Sequence, residues 1–307
     1  MMKKVFALLM LVILAACAPA PTTQPAAYVD LTDLQPLPTP ANTQVKPLRV
    51  AIAAVFSPQG SAESYAPLLD YLGLKLGRPI ERVQRRTYAE VNDLLRTGEV
   101  DLAFVCTSSY LLGHKQFGLE LLVAPQVNGK VTYNATLIIR TELKAQSIAD
   151  LRGKTFAFTD PTSFSGRVYP TYLLQQMGTT PEVFFARTFF TYSHDKAIYA
   201  VVEGQADAAS VDSLVLDFAL KRDPTLAQKI RVIHVSPDFG MPPVVVSPSI
   251  RPQLRAELTD ILLGMNLDPA GLAALQALDY DRFVVVSDQD YRSAKEVQSA
   301  VDMNGNP

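Results

Sequence analysis

Cysteine and histidine are scarce in this sequence, and their scarcity removes several classes of chemistry at once. There are two cysteines and three histidines in 307 residues. Cys17 closes an N-terminal apolar run. That leaves Cys106 alone in the body of the chain, so no internal disulfide is expected. His114, His194 and His234 are scattered, with none of the close spacings of a zinc motif, and neither a metal nor a cofactor is expected. No excess of positive charge is present either. The formal net charge is −2, which argues against a nucleic-acid surface. Beyond the first sixteen residues no apolar run is long enough to cross a bilayer.

The N-terminus carries the first positive signal. Lys3 and Lys4 precede an unbroken apolar run over residues 5–16, too short for a membrane span but suited to a secretion signal. The run ends in Leu14-Ala15-Ala16-Cys17, which resembles a bacterial lipobox, with Cys17 as the lipidated residue. Residues 18–46 then hold six prolines and few large apolar side chains, a composition for a semi-rigid tether rather than a core. The reading is a lipoprotein signal peptide over 1–16, a tether over 17–46, and an extracytoplasmic protein anchored to the cell membrane by lipid.

About 260 residues remain, more than one core usually holds and enough for two lobes. Apolar runs dense enough for buried strands alternate with segments of helical spacing, which implies parallel sheets flanked by helices. Thr87-Tyr88-Ala89-Glu90 is a capping box that starts a helix burying Val91, Leu94 and Leu95. The strand–helix pattern recurs after residue 147. Gly98-Glu-Val-Asp101-Leu-Ala in the first half matches Gly204-Gln-Ala-Asp207-Ala-Ala in the second, at the same helix-stop-to-strand position. The expected fold is α/β, with lobe 1 formed by 47–136 plus 241–307 and lobe 2 by 137–240. Apolar stretches at 131–140 and 230–235 are expected to be the two crossover hinge strands.

Four segments could carry chemistry. Asp160-Pro-Thr-Ser163-Phe164-Ser165-Gly166 lies between a strand and a helix. Ser163 or Ser165 can cap that helix, Gly166 lets the backbone approach a bound group, and the first amides favour an anion. Ser193-His194-Asp195 marks a second strand-to-helix turn, from which His194 can donate. Asp212, after a third strand, serves as an N-cap or as an acceptor selecting a protonated oxyanion. Cys106-Thr107-Ser108-Ser109-Tyr110 offers hydroxyls from Thr107 onward and an aromatic wall at Tyr110. Cys106 itself reads as a small buried apolar residue, and Ser57 is expected to complete the wall from the end of the first strand.

This ordered set resembles the phosphonate/phosphite/phosphate substrate-binding family of ABC transporters. The likeness rests on Asp160-Pro-Thr-Ser163-Phe-Ser165-Gly166, Ser193-His194-Asp195 and Val211-Asp212-Ser213. Asp101-Leu-Ala-Phe104 with Tyr110, and Gly153-Lys-Thr-Phe156-Ala-Phe158, add to it. It implies a two-lobe type II periplasmic-binding-protein fold without enzyme activity. Ser163, the amide of Phe164, Ser165 and His194 would hold phosphorus oxygens, Asp212 would accept from P–OH, and Tyr110 would line the pocket. The implied partners are a small oxyanion (phosphonate, phosphite or phosphate) and the ABC permease and ATPase subunits, with the binding protein a monomer. The sequence departs from the pattern in having Phe164 at a hydroxyl position and no tryptophan at all. Rival readings are a ligand-sensing lipoprotein for a membrane kinase, a binder of a non-phosphorus small molecule, and a serine hydrolase built on Ser163 or Ser165, His194 and Asp212. The hydrolase lacks a Gly-x-Ser-x-Gly elbow.

Overall fold

A computed structural model describes residues 45–303. The signal peptide, Cys17 and most of the tether lie outside the described residues. No helix among those described is long and apolar enough to cross a membrane.

The chain opens with β1 (Leu48–Ile52), α1 (Pro58–Leu76), β2 (Ile80–Val83), α2 (Tyr88–Thr97), β3 (Leu102–Phe104), α3 (Thr107–Phe117) and β4 (Glu120–Gln126). It continues through β5 (Thr132–Tyr133), β6 (Ala135–Arg140) and β7 (Thr155–Phe158). A π-helical turn, Phe164–Val168, leads into α4 (Tyr169–Gln176), followed by α5 (Pro181–Phe184), β8 (Arg187–Phe190), α6 (His194–Val202), β9 (Ala208–Asp212), α7 (Ser213–Arg222), α8 (Leu226–Lys229) and β10 (Ile230–Val235). The chain returns through β11 (Phe239–Gly240), β12 (Val244–Val246), α9 (Pro252–Gly264), α10 (Pro269–Gln276), β13 (Arg282–Val284) and α11 (Arg292–Met303). The strands form a six-stranded sheet, β13-β4-β12-β3-β1-β2, and a five-stranded sheet, β10-β6-β9-β7-β8. Each sheet with its helices is one lobe.

The lobes repeat one plan. In the first, β1 lies parallel between β2 and β3, and β12 then pairs antiparallel with β3. In the second, β7 lies parallel between β8 and β9, and β6 pairs antiparallel with β9. The repeated sequence phrase has a structural reason. Asp101 accepts the amide of Arg49 in β1 at 2.9 Å, and Asp207 accepts the amide of Thr155 in β7 at 2.9 Å. Each aspartate ties the start of the third strand to the start of the first. Each also faces an arginine, Arg49 for Asp101 and Arg140 for Asp207. Gly98 and Gly204 precede them with φ of +71° and +76°, a left-handed turn that lets each helix end and the chain reverse into the strand.

The crossover falls inside the expected 131–140 on one side, at Thr132–Tyr133, and beyond the expected 230–235 on the other, at Phe239–Gly240. β6 and β10 do pair, but Ala135–Ile139 is also paired to β9, which locks both strands inside the second sheet. The passage between lobes is made by β5 and β11, paired antiparallel through Tyr133 with Phe239 and Thr132 with Gly240. Apolar clusters fill both faces of each sheet. A further cluster, containing Tyr88, Cys106, Tyr133, Phe164, Tyr169 and Phe239, bridges the lobes.

If the two aspartates share one role, Asp101→Ala and Asp207→Ala should each lower stability by about 1–3 kcal/mol, the range for a lost hydrogen bond to a charged acceptor. Urea unfolding measures both; a loss at one position and none at the other would contradict the shared role.

Candidate functional site

The carboxyl ends of the parallel strands in both lobes point at the bridging cluster, where open α/β sheets bind ligands. From the second lobe come the Ser163–Ser165 turn after β7, Ser193 and His194 after β8, and Asp212 ending β9. From the first come Tyr88 after β2, and Cys106 and Thr107 after β3. Tyr133 enters from the crossover strand β5. None of these side chains belongs to a residue more than 4 % exposed.

His194 is the best-defined member. Its Nδ1 accepts the backbone N–H of Asp212 at 2.9 Å, so the ring proton sits on Nε2. Burial pushes the imidazole pKa down to about 3, against the weaker opposite pull of Asp195. The ring is therefore a neutral donor at ordinary pH. Nε2 lies 3.4 Å from the Ser163 hydroxyl, which itself accepts the amide of Gly166 at 3.1 Å. This tautomer is the reverse of a catalytic base. A hydrolase would need Nδ1 to donate to the Asp212 carboxylate and Nε2 to accept from serine.

Hydroxyls supply the remaining donors. Tyr88 Oη, Tyr133 Oη, Ser165 Oγ and Ser193 Oγ are all buried without a hydrogen-bond partner of ordinary geometry among the described residues. The Tyr133 hydroxyl sits beside Thr107 and Ser165. Burial drives the Tyr88 and Tyr133 pKa values well above the usual tyrosine value, so both remain protonated. Asp212 is the acceptor. Its Oδ1 caps α7 by taking the Leu214 amide at 2.8 Å. Burial, with help from the nearby Asp217, raises its pKa to about 7, against the lowering effect of the Leu214 and Val215 amides. Five neutral donors and one protonatable acceptor suit an anion that carries a proton. No cluster of His, Cys, Asp and Glu among the described residues could hold a metal.

Contacts between the lobes seal this cradle. The Tyr88 amide donates to Asp160 at 3.1 Å, the Ser57 amide to Asp195 at 2.9 Å, and the His194 amide to the Val55 carbonyl at 2.9 Å. Thus α1 and α2, whose N-termini attract negative charge, each meet an aspartate from the opposite lobe. Arg86 lies over the Tyr192 ring at 4.2 Å. Tyr192 itself has a left-handed φ of +60°, the turn that carries β8 into Ser193 and His194.

Ser163, Ser165, His194, Asp212 and Thr107 thus come together, but three expected positions differ. Tyr110 does not line the cleft. A helix begins at Thr107, directly after β3, and it carries Tyr110 into the core with Val91, Leu95 and Tyr291, its hydroxyl on Asp288. Ser57 is a cap and a latch instead of a wall, because α1 starts at Pro58 and the Ser57 hydroxyl takes the Gly60 amide. The Phe164 amide donates to Cys106 Sγ at 3.3 Å, and its ring packs edge-on against Phe239. The thiol behaves as expected, with burial pushing its pKa up to about 11. Gly166 has an unexpected role as well. A Cβ there would overlap the Thr159 hydroxyl and come within 2.8 Å of Thr159 Cβ, so the glycine makes room for Thr159. Tyr88 and Tyr133 went unread. The internal repeat is the signal that points to Tyr88, since it follows β2 as His194 follows β8.

Comparison with known proteins agrees with this geometry. The family model described as ABC transporter, phosphonate, periplasmic substrate-binding protein matches residues 50–291. The chain belongs to this phosphonate-binding family. Its members are substrate-binding transport proteins of the periplasm. The phosphonates-binding periplasmic protein of Escherichia coli K12 is 24% identical over 286 residues, covering 91% of this chain and 84% of that protein. A binding protein component of a Pseudomonas aeruginosa ABC phosphonate transporter has a TM-score of 0.78 at 21% identity, covering 84% of this chain and 88% of that one. PhnD1 of Prochlorococcus marinus, solved with methylphosphonate, has a TM-score of 0.75 at 19% identity, covering 83% and 98%. The fold is that of a two-lobe type II periplasmic binding protein.

In this family member the neutral histidine has a consequence for stability. The folded-state pKa of His194 lies near 3, below the 6.5 of a free imidazole, so between those values the unfolded chain binds the extra proton. The contribution is full above pH 6.5 and lost as pH falls toward 3. The wild type should therefore lose stability more steeply than His194→Gln across that window, by up to about 1.4 kcal/mol per pH unit. Equal slopes in denaturant titrations would contradict the buried neutral ring.

Proposed function

We propose that this protein is the extracytoplasmic binding component of an ABC importer and that it closes on a small phosphorus oxyanion. The reading rests on one arrangement above the rest: buried hydroxyls and a neutral imidazole lie around Asp212, a carboxyl whose pKa burial raises to about 7. Phosphonate, phosphite and phosphate each carry a P–OH at or below neutrality, and Asp212 accepts it. Sulfate carries no such proton and would set two negative charges against each other. Lipidation at Cys17 and the tether to residue 46, both read from sequence, would hold the protein at the membrane beside the permease and ATPase that accept its cargo. Hinge closure about β5 and β11 brings Tyr133, which sits on the hinge itself, onto the ligand.

Calorimetry with methylphosphonate tests this reading. Tyr133→Phe and Ser165→Ala should each weaken binding by about 10–100-fold, the loss of a hydrogen bond to an anion. Tyr133→Phe should also leave the ligand-free protein as stable or more so, since it deletes a buried hydroxyl without a partner. Wild-type affinity should peak near pH 7 and fall by up to about tenfold per pH unit on either side, since the complex holds one shared proton where the free protein and ligand together hold two at lower pH and none at higher pH. Asp212→Asn keeps the cap through Oδ1 and donates through its amide, so its affinity should not fall above that pH. Wild-type affinity that is flat with pH, or undiminished in both hydroxyl variants, would refute the proposal.

A further inference from the structure

Beside the cradle lies a chamber of about 650 Å³, walled from both lobes. Phe56, Tyr65 and Phe104 of the first lobe face Phe218 of the second, with Tyr280 and Leu278 closing the side. Phe56 and Phe218 meet edge-on across the lobe boundary, ring centroids 5.3 Å apart, and Tyr65 meets Phe104 the same way at 5.1 Å. The Tyr65 and Tyr280 hydroxyls lie 3.4 Å apart, so their polar ends are turned toward each other. The aromatic and aliphatic side chains make up the larger part of the lining, and Asp217, Asp281 and the Lys221–Asp279 pair add charged groups to it.

The chamber borders the cradle at Asp212. Ala53, Val55, Val127 and Leu214 contact the bridging cluster and also line the chamber. Asp212 belongs to both. Its amide fixes the His194 tautomer on one side, and its side chain borders the chamber on the other. Cys106 and the Tyr88 and Tyr133 hydroxyls feel its charge from the cradle, and the Tyr65 and Tyr280 hydroxyls feel it from the chamber. A group bonded to phosphorus that leaves the cradle past Asp212 enters this space. A methyl or aminoethyl group fills little of it, whereas volumes of about 300–1,000 Å³ are those of pockets that enclose drug-sized ligands.

We propose that the chamber holds the organic substituent of the ligand, and that the protein takes phosphonates or phosphomonoesters carrying an apolar group of aromatic size. The inference rests on the oxyanion reading above and adds the class of substituent. Edge-to-face contact with Phe56 and Phe218 from opposite lobes would make the substituent itself favour closure.

Competition calorimetry on the wild-type protein, with benzylphosphonate against methylphosphonate as probes, separates the two layers. Benzylphosphonate is expected to bind at least about tenfold tighter, from burial of the ring. Phe218→Ala should erase most of that advantage and leave methylphosphonate binding unchanged. If methylphosphonate binds and benzylphosphonate binds no tighter, the chamber inference is wrong and the oxyanion reading stands. If neither binds, both fall. The wild-type ratio decides the matter even if Phe218→Ala does not fold, and a folded Phe218→Ala protein that keeps the full ratio would also overturn the inference.

Discussion

Tyr88, Tyr133, Ser165 and Ser193 bring buried hydroxyl groups to the junction of the lobes, and no protein acceptor among the described residues meets them in ordinary hydrogen-bond geometry. A buried donor left unpaired costs about 1–3 kcal/mol, and a ligand that supplies acceptors to a group of them removes that cost. They are held there by the closure of two lobes, neither of which carries the full set. The second lobe brings serines, an imidazole and a carboxyl; the first brings Tyr88 and Thr107; the crossover brings Tyr133. The site is complete only when the lobes meet, which couples recognition to conformation.

The same constraint explains the uncharged character of the donors. A lysine or arginine sealed in this space would suffer a large desolvation penalty whenever no anion was present. Neutral hydroxyls and a neutral imidazole carry a smaller one. The imidazole is kept neutral by position as well as by burial, because the Asp212 amide occupies Nδ1. The carboxyl proposed to meet the ligand, Asp212, is shifted into the range where it shares a proton instead of repelling an anion. Asp160 and Asp195 face amides across the lobe boundary, so the charges that help closure lie beside the cradle and not inside it.

Much of this was legible in the sequence because it depends on local rules. The capping box at Thr87, the helix stops at Gly98 and Gly204, and the strand-to-helix turns at Ser163 and His194 are each set within a few residues. Most of what went unread depends on distant partners. Tyr110 follows β3 closely in sequence, but α3 begins at Thr107 and draws that ring onto Tyr291, far along the chain. Gly166 suggested close approach to a ligand, while its neighbour is Thr159, brought there by the turn itself. Tyr133 lies in a two-residue strand with no pattern of its own, paired with Phe239 more than a hundred residues later. Tyr88 was hidden in plain view, read as part of a helix cap although the repeated lobe plan aligns it with His194.

The most direct test is a crystal structure of the protein with methylphosphonate. The account predicts the three phosphonate oxygens within hydrogen-bond reach of Tyr88 Oη, Tyr133 Oη, Ser165 Oγ and His194 Nε2, with one oxygen against the Asp212 carboxyl. A phosphonate bound elsewhere, or one bound between the lobes with the tyrosine hydroxyls and His194 turned away from it, would contradict it.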